Sequence, residues 1–188
     1  QELENIKSIY WDGHSDTEVL LAAIEEWGFE LTLKKCTGMF AIALWDTKKK
    51  VLFLARDRMG EKPLYYGWLN NTFVFASELK SIKSVPGIKL TVDRNVLPMY
   101  LRYNSIPAPY SIYSGIFKLE PGCIVSTRIN EQQIVKKYFW STEKILEYGS
   151  KNSFSGSPLE AVNTLEVKLL NSIKLQANAD VPLGAFLS

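Results

Sequence analysis

Apolar residues recur at helical spacing between Ser15 and Trp27, where Val19, Leu20, Ala23, Ile24 and Trp27 share one face. Ser15-x-x-Glu18 reads as a capping box at the start and Gly28 as the stop. The pattern predicts a helix with one face packed on something large. The period then changes. Met39 to Trp45 is apolar at successive positions, which suits a strand covered on both faces. Asp46 to Lys50 is a polar turn, and Val51 to Ala55 returns as the antiparallel partner. Gly60, Pro63 and Gly67 punctuate a stretch around Leu64-Tyr65-Tyr66, and Thr72 to Ala76 is a strand after the Asn70-Asn71 turn. A short helix is predicted from Glu78 to Lys83.

Asp93 to Tyr103 has Val96, Leu97, Tyr100 and Leu101 at helical spacing, with Pro98 marking a kink or a boundary. Ile106-Pro107-Ala108-Pro109 is expected to be extended. Gly122 to Ile129 and Gln133 to Phe139 read as a hairpin across Asn130-Glu131. Residues 141–157 lose periodicity and have the Gly, Ser and Asn content of an interdomain linker. A second capping box, Ser157-x-x-Glu160 with Pro158 at the first helical position, then opens a helix. Its apolar face is Leu159, Val162, Leu165, Leu169 and Ile173, and it runs to about Gln176. Val181 to Ser188 reads as a buried strand. Such a strand needs neighbours to satisfy its ladder, so a second domain is expected to begin within 158–188.

Composition narrows the function classes. With 46% hydrophobic residues, the 188-residue chain is no disordered tail and can build a full core. Its 22 Lys+Arg against 20 Asp+Glu leave a net charge of +2, without the basic face that nucleic acid or an anionic membrane requires. Lys48-Lys49-Lys50 is the only basic run and falls in a predicted turn. Cys36 and Cys123 belong to no metal-ligand spacing, and His14 is the only histidine. No metal site is therefore expected within the chain, and two lone thiols suit a reducing, cytoplasmic setting. No stretch has transmembrane length and none has a signal-peptide pattern. His14, just before the first helix, reads as a surface or capping residue. By spacing alone there is no Ser-His-Asp set and no Gly-rich phosphate loop.

The local wording is more specific. Gly13-His14-Ser15-Asp16-Thr17-Glu18-Val19 comes first and Gly38-Met39-Phe40-Ala41 second. Ala55-Arg56-Asp57-Arg58-x-Gly60-x-Lys62-Pro63-Leu64-Tyr65-Tyr66 and Phe75-Ala76-Ser77-Glu78-Leu79-Lys80 follow in order. Together they resemble the glutaminase domain of asparagine synthetases, class II glutamine amidotransferases with an N-terminal nucleophile. Ile106-Pro107-Ala108-Pro109 through Pro121-Gly122 resembles the stretch leading to that family's second domain. Asp180-Val181-Pro182-x-Gly184-x-x-Leu187-Ser188 resembles the approach to its pyrophosphate-binding loop.

The resemblance implies an α+β fold: an incomplete four-layer αββα N-terminal-nucleophile glutaminase domain, then the start of an α/β ATP-pyrophosphatase domain. Its expected boundaries are a glutaminase domain lacking its first strands over 1–140, a linker over 141–157 and a truncated synthetase domain over 158–188. It implies that an N-terminal cysteine attacks the glutamine amide and that the released ammonia aminates an aspartate activated with ATP and Mg2+. Glutamine, aspartate and ATP are the implied small-molecule partners, with neither nucleic acid nor membrane, and a homodimer is left open. The family's nucleophile, its glutamine-binding arginine and its Asn-Gly oxyanion pair have no counterpart downstream of Gln1, so no residue here is expected to be catalytic. Cys36 and Cys123 cannot replace that nucleophile, because each has its amine in a peptide bond; packing is their expected role.

What carries over is narrow. Asp16 matches the aspartate that pairs with the α-amino group of bound glutamine. On the residues alone, it would only complement the dipole at a helix start. Leu187 and Ser188 match the ATP-contacting end of the first synthetase strand. Arg56, Asp57 and Glu78 belong to the signature without a catalytic role, and an ion pair fixing a loop is expected of Arg56-Asp57-Arg58. Trp45, Phe53, Tyr65, Tyr66, Phe73 and Phe75 are expected as core or inter-sheet contacts. A β-lactam-synthetase-like or polysaccharide-locus relative, and a non-enzymatic interaction module, are the alternative readings.

Overall fold

The computed structural model describes residues 3, 11–13, 15–128, 130–177 and 181–186. They fall into two compact units, 1–141 and 142–188.

In the first unit, α1 (Asp16–Trp27) is capped by Ser15, whose Oγ accepts the Thr17 amide at 3.2 Å. The expected reciprocal box does not form. Glu18 instead reaches past Ser15 to the amides of Asp12 and Gly13. Gly28, at φ 78°, ends α1 and starts a second helix that periodicity did not show, α2 (Phe29–Lys35). The Gly28 carbonyl accepts both the Thr32 amide, at 3.1 Å, and the Thr32 hydroxyl, at 2.8 Å, so the stop signal is also a start. Of the apolar face expected of α1, Ala23 is buried, Leu20, Ile24 and Trp27 are half-buried, and Val19 is exposed.

Two antiparallel sheets follow. The first has the order β1-β2-β6-β7, with β1 (Ala41–Asp46), β2 (Val51–Arg56), β6 (Cys123–Arg128) and β7 (Ile134–Tyr138). The second is β4-β3-β5, with β3 (Tyr65–Leu69), β4 (Thr72–Ala76) and β5 (Ile116–Lys118). The turns agree with the sequence: Asp46 Oδ1 accepts the amides of Lys48 and Lys49, and Asn70 and Asn71 both take positive φ, as a tight hairpin between twisted strands requires.

Strand alternation sorts the core into three layers of contact. On one face of the first sheet, Ala55, Ile124 and Phe139 pack against Leu33 and Phe29 of α2. On its other face, Leu54, Cys123 and Val125 meet Tyr66, Leu64 and Phe73 of the second sheet. The far side of that sheet, Val74 and Ile116, packs on Ile82 of α3 (Leu79–Lys83). Helix, sheet, sheet and helix are thus stacked in four layers, as the resemblance implied for the first domain.

Several local expectations are corrected. Among the described residues β1 lies at the edge of its sheet, and with Ala43 and Trp45 exposed it is not covered on both faces. Phe75 is likewise 42% exposed, whereas Phe53, Tyr65, Tyr66 and Phe73 do pack in the clusters. Pro98 marks a boundary: a 3-10 turn, Arg94–Val96, gives way to α4 (Leu97–Tyr103). The stretch 106–109 is a turn around a cis Ala108–Pro109 bond, closed by the Tyr110 amide on the Pro107 carbonyl at 3.0 Å, and is not extended.

In the second unit, residues expected to be irregular form α5 (Thr142–Lys151). α6 (Pro158–Gln176) follows with its capping box intact: the Ser157 amide donates to Glu160 Oε2 at 2.7 Å and the Glu160 amide to Ser157 Oγ at 3.3 Å. Residues 181–186 form no strand and are exposed, with Val181 at 69% and Leu183 at 64%. An apolar stretch with no ladder partner has nothing to hold it extended. Of the helix and strand expected to start a second domain, α6 forms and the strand does not form over 181–186.

Candidate functional site

A cleft of about 1490 Å³ opens beside the first turn of α1. Asp16, Cys36, Phe40, Lys62, Pro63 and Ser77 are among its lining residues. Asp16 is exposed, and its carboxylate accepts the Thr17 hydroxyl at 3.5 Å. Sequence therefore nominated one residue of this cleft, and the fold adds Lys62 and Ser77 from two other segments. A carboxylate at a helix start, an ammonium and a hydroxyl around one opening can hold a small zwitterion.

The loop that carries Lys62 is fixed by the end of β2. The Asp57 carboxylate is 1% exposed and accepts four backbone amides. Oδ1 takes Met59 at 3.1 Å and Glu61 at 2.9 Å; Oδ2 takes Lys62 at 3.0 Å and Phe40 at 3.3 Å. Arg56 donates to three carbonyls, Lys62 at 2.7 Å, Leu119 at 2.6 Å and Gly60. Burial pushes its guanidinium below the usual arginine range, and the Asp57 charge opposes that shift. Arg58 donates to Lys34 at 2.7 Å and to Cys36, the last carbonyls at the end of α2. The expected ion pair is corrected: these side chains fix loops by binding backbone rather than each other. An Asp two residues before an amide in a turn is a sequence signal for such a cradle, but the amide of Phe40 is seventeen residues away and carries none.

The two thiols differ. Cys123 is buried between the sheets and pushed up to about 12 by burial. Cys36 is half-buried at the cleft, and burial raises it against the opposing charge of Arg58. Glu78 pairs with Lys80 on the surface. His14, Leu187 and Ser188 lie outside the described residues. Among the described residues no His/Cys/Asp/Glu cluster could hold a metal ion, and no helix is long and apolar enough to cross a membrane.

The family profile of the glutamine amidotransferase domain matches residues 1–140. The chain belongs to the glutamine amidotransferase family. This amidotransferase chain is 34% identical over its whole length to "Putative asparagine synthetase [glutamine-hydrolyzing] 2" of Methanocaldococcus jannaschii, of which it covers 35%. It is 32% identical, again over its whole length, to "Asparagine synthetase [glutamine-hydrolyzing] 1" of Bacillus subtilis, of which it covers 28%. "Amidase chyE" of Penicillium rubens is 31% identical over 94% of the chain, which spans 25% of that protein. The amidotransferase chain thus spans about a third or less of these relatives. The fold is shared with the glutamine phosphoribosylpyrophosphate amidotransferase of B. subtilis, at a TM-score of 0.52 and 23% identity over 75% of this chain and 26% of that one.

Proposed function

We propose that the chain forms part of the glutamine site of a glutamine-hydrolysing asparagine synthetase. In the longer protein, ammonia released from glutamine would amidate aspartate with the use of ATP and Mg2+, in the cytoplasm. Support comes from identity of 34% and 32% to two asparagine synthetases across the entire chain. Asp16 supplies the site-level argument: an exposed carboxylate that lines the cleft can pair with the α-ammonium of glutamine. Hydrolysis is proposed for the longer protein. Leu187 and Ser188 are assigned to the ATP site on resemblance alone.

The test is Asp16→Asn in the full-length gene product. The Michaelis constant for glutamine should rise about tenfold or more, as loss of a charge-assisted contact predicts. The constant for ammonia should stay where it is. An unchanged glutamine constant removes Asp16 from the site.

The match to an amidase at 31% identity supports a second reading, a relative that amidates another acceptor or, like a β-lactam synthetase, has lost glutaminase activity. The residue exposed after removal of the initiator methionine separates a glutaminase from a relative that has lost that activity. Cysteine there supports the glutaminase; another residue rejects it. Product analysis with L-glutamine and aspartate separates aspartate amidation from amidation of another acceptor.

A further inference from the structure

Two walls of the cleft come from segments far apart in sequence, Phe40 at the entry to β1 and Lys62-Pro63 in the loop after β2. Asp57 itself does not line the cleft, yet its carboxylate holds both walls. Oδ2 accepts the amides of Phe40 and Lys62, while Oδ1 accepts those of Met59 and Glu61. The Asp57 amide also donates to the Phe40 carbonyl at 2.9 Å, so the two residues are tied twice. Its neighbour Arg58 holds the carbonyl of Cys36, a third lining residue.

We propose that Asp57 is a positioning residue for the glutamine site: its single carboxylate sets the spacing between the Phe40 and Lys62 walls. The inference rests on the reading of this cleft as the glutamine site. A carboxylate suits the task because it accepts on all sides. An asparagine of the same shape cannot replace it, since in either orientation its NH2 faces two amide donors. The walls would then part, and substrate contacts on opposite sides could no longer be made together.

The test compares D57N with D46N in the full-length gene product. Asp46 caps a turn by the same chemistry but lines no part of the cleft. D57N is expected to raise the Michaelis constant for L-glutamine about tenfold, with kcat changed less than about threefold, while D46N alters neither. Equal constants for D57N and the wild type overturn the proposal, as does an equal effect of D46N.

Should D57N not fold, hydrogen exchange in the wild type decides. L-Glutamine should slow exchange in peptides holding the amides of Phe40, Met59, Glu61 and Lys62 together, and leave the Lys48 and Lys49 amides unchanged. Protection around Asp16 without protection of those four overturns the role of Asp57 alone. No protection anywhere, with no turnover of L-glutamine, overturns the glutamine reading and this inference with it.

Discussion

The carboxylate of Glu18, in the first turn of α1, accepts the backbone amide of Gly13 at 3.1 Å, and its other oxygen accepts that of Asp12 at 2.8 Å. It thereby ties the segment leading into the cleft to the helix that carries Asp16. Glu18→Ala should cost about 1 kcal/mol of stability and raise amide exchange at Asp12 and Gly13. Unaltered exchange at both amides would contradict that tie.

Gly67, in the middle of β3, has no room for a side chain. A Cβ there would lie 2.0 Å from the Gly115 carbonyl oxygen and 3.0 Å from Ile116 Cδ1. The close approach occurs where β3 pairs with β5: Gly67 lies opposite Ile116, and Gly115 immediately precedes β5. Gly67→Ala is expected to cost about 3 kcal/mol in urea unfolding, through displacement of β5 rather than through backbone preference. A loss below 0.5 kcal/mol, roughly a surface substitution, would show that β5 yields freely.

Glu120, Lys136 and Tyr138 form a titrating cluster on the first sheet, with the Tyr138 hydroxyl donating to Glu120 Oε1 at 2.7 Å and Lys136 paired to Oε2. Burial raises the Glu120 carboxyl, but the bonds from Lys136 and Tyr138 outweigh it and hold the group below the ordinary value of 4.5. A depressed carboxyl contributes stability above its unfolded-state value and loses it as pH falls through the folded one. Wild type should therefore exceed Glu120→Gln by no more than about 1 kcal/mol at neutral pH, given the exposure of Lys136. The gap should close as pH falls below 4.5, the ordinary glutamate value. Thermal unfolding across pH 3 to 7 measures it; a gap that widens in acid contradicts the assignment.

The two thiols should separate by reactivity. Cys36 is partly exposed, whereas Cys123 is 0% exposed and pushed up to about 12. A thiol reagent at mildly alkaline pH should modify Cys36 in the folded protein and reach Cys123 only after denaturation. Cys36→Ser should abolish the native-state signal, and a persistent signal would place the reactive thiol elsewhere.

Local signals were legible where the interaction was local. The Ser157–Glu160 box, the Asn70-Asn71 hairpin and the Asp46 turn each close within four residues, and each formed as its residues predicted. Ser15-x-x-Glu18 had the same wording as Ser157-x-x-Glu160, yet Glu18 found the Asp12 and Gly13 amides instead. The apolar run at 181–186 had the composition of a strand, but composition supplies no ladder.

By itself, the sequence determined the turns, most strand and helix positions, the charge balance and the family, because these depend on residue type and short spacing. Only the tertiary structure decided how charged residues are used. It buried Asp57 among backbone amides, gave it one from seventeen residues upstream, and brought Lys62 and Ser77 to the cleft that Asp16 lines. A buried carboxylate must satisfy its oxygens with whatever donors the fold delivers, and which donors arrive depends on how the sheets and loops pack.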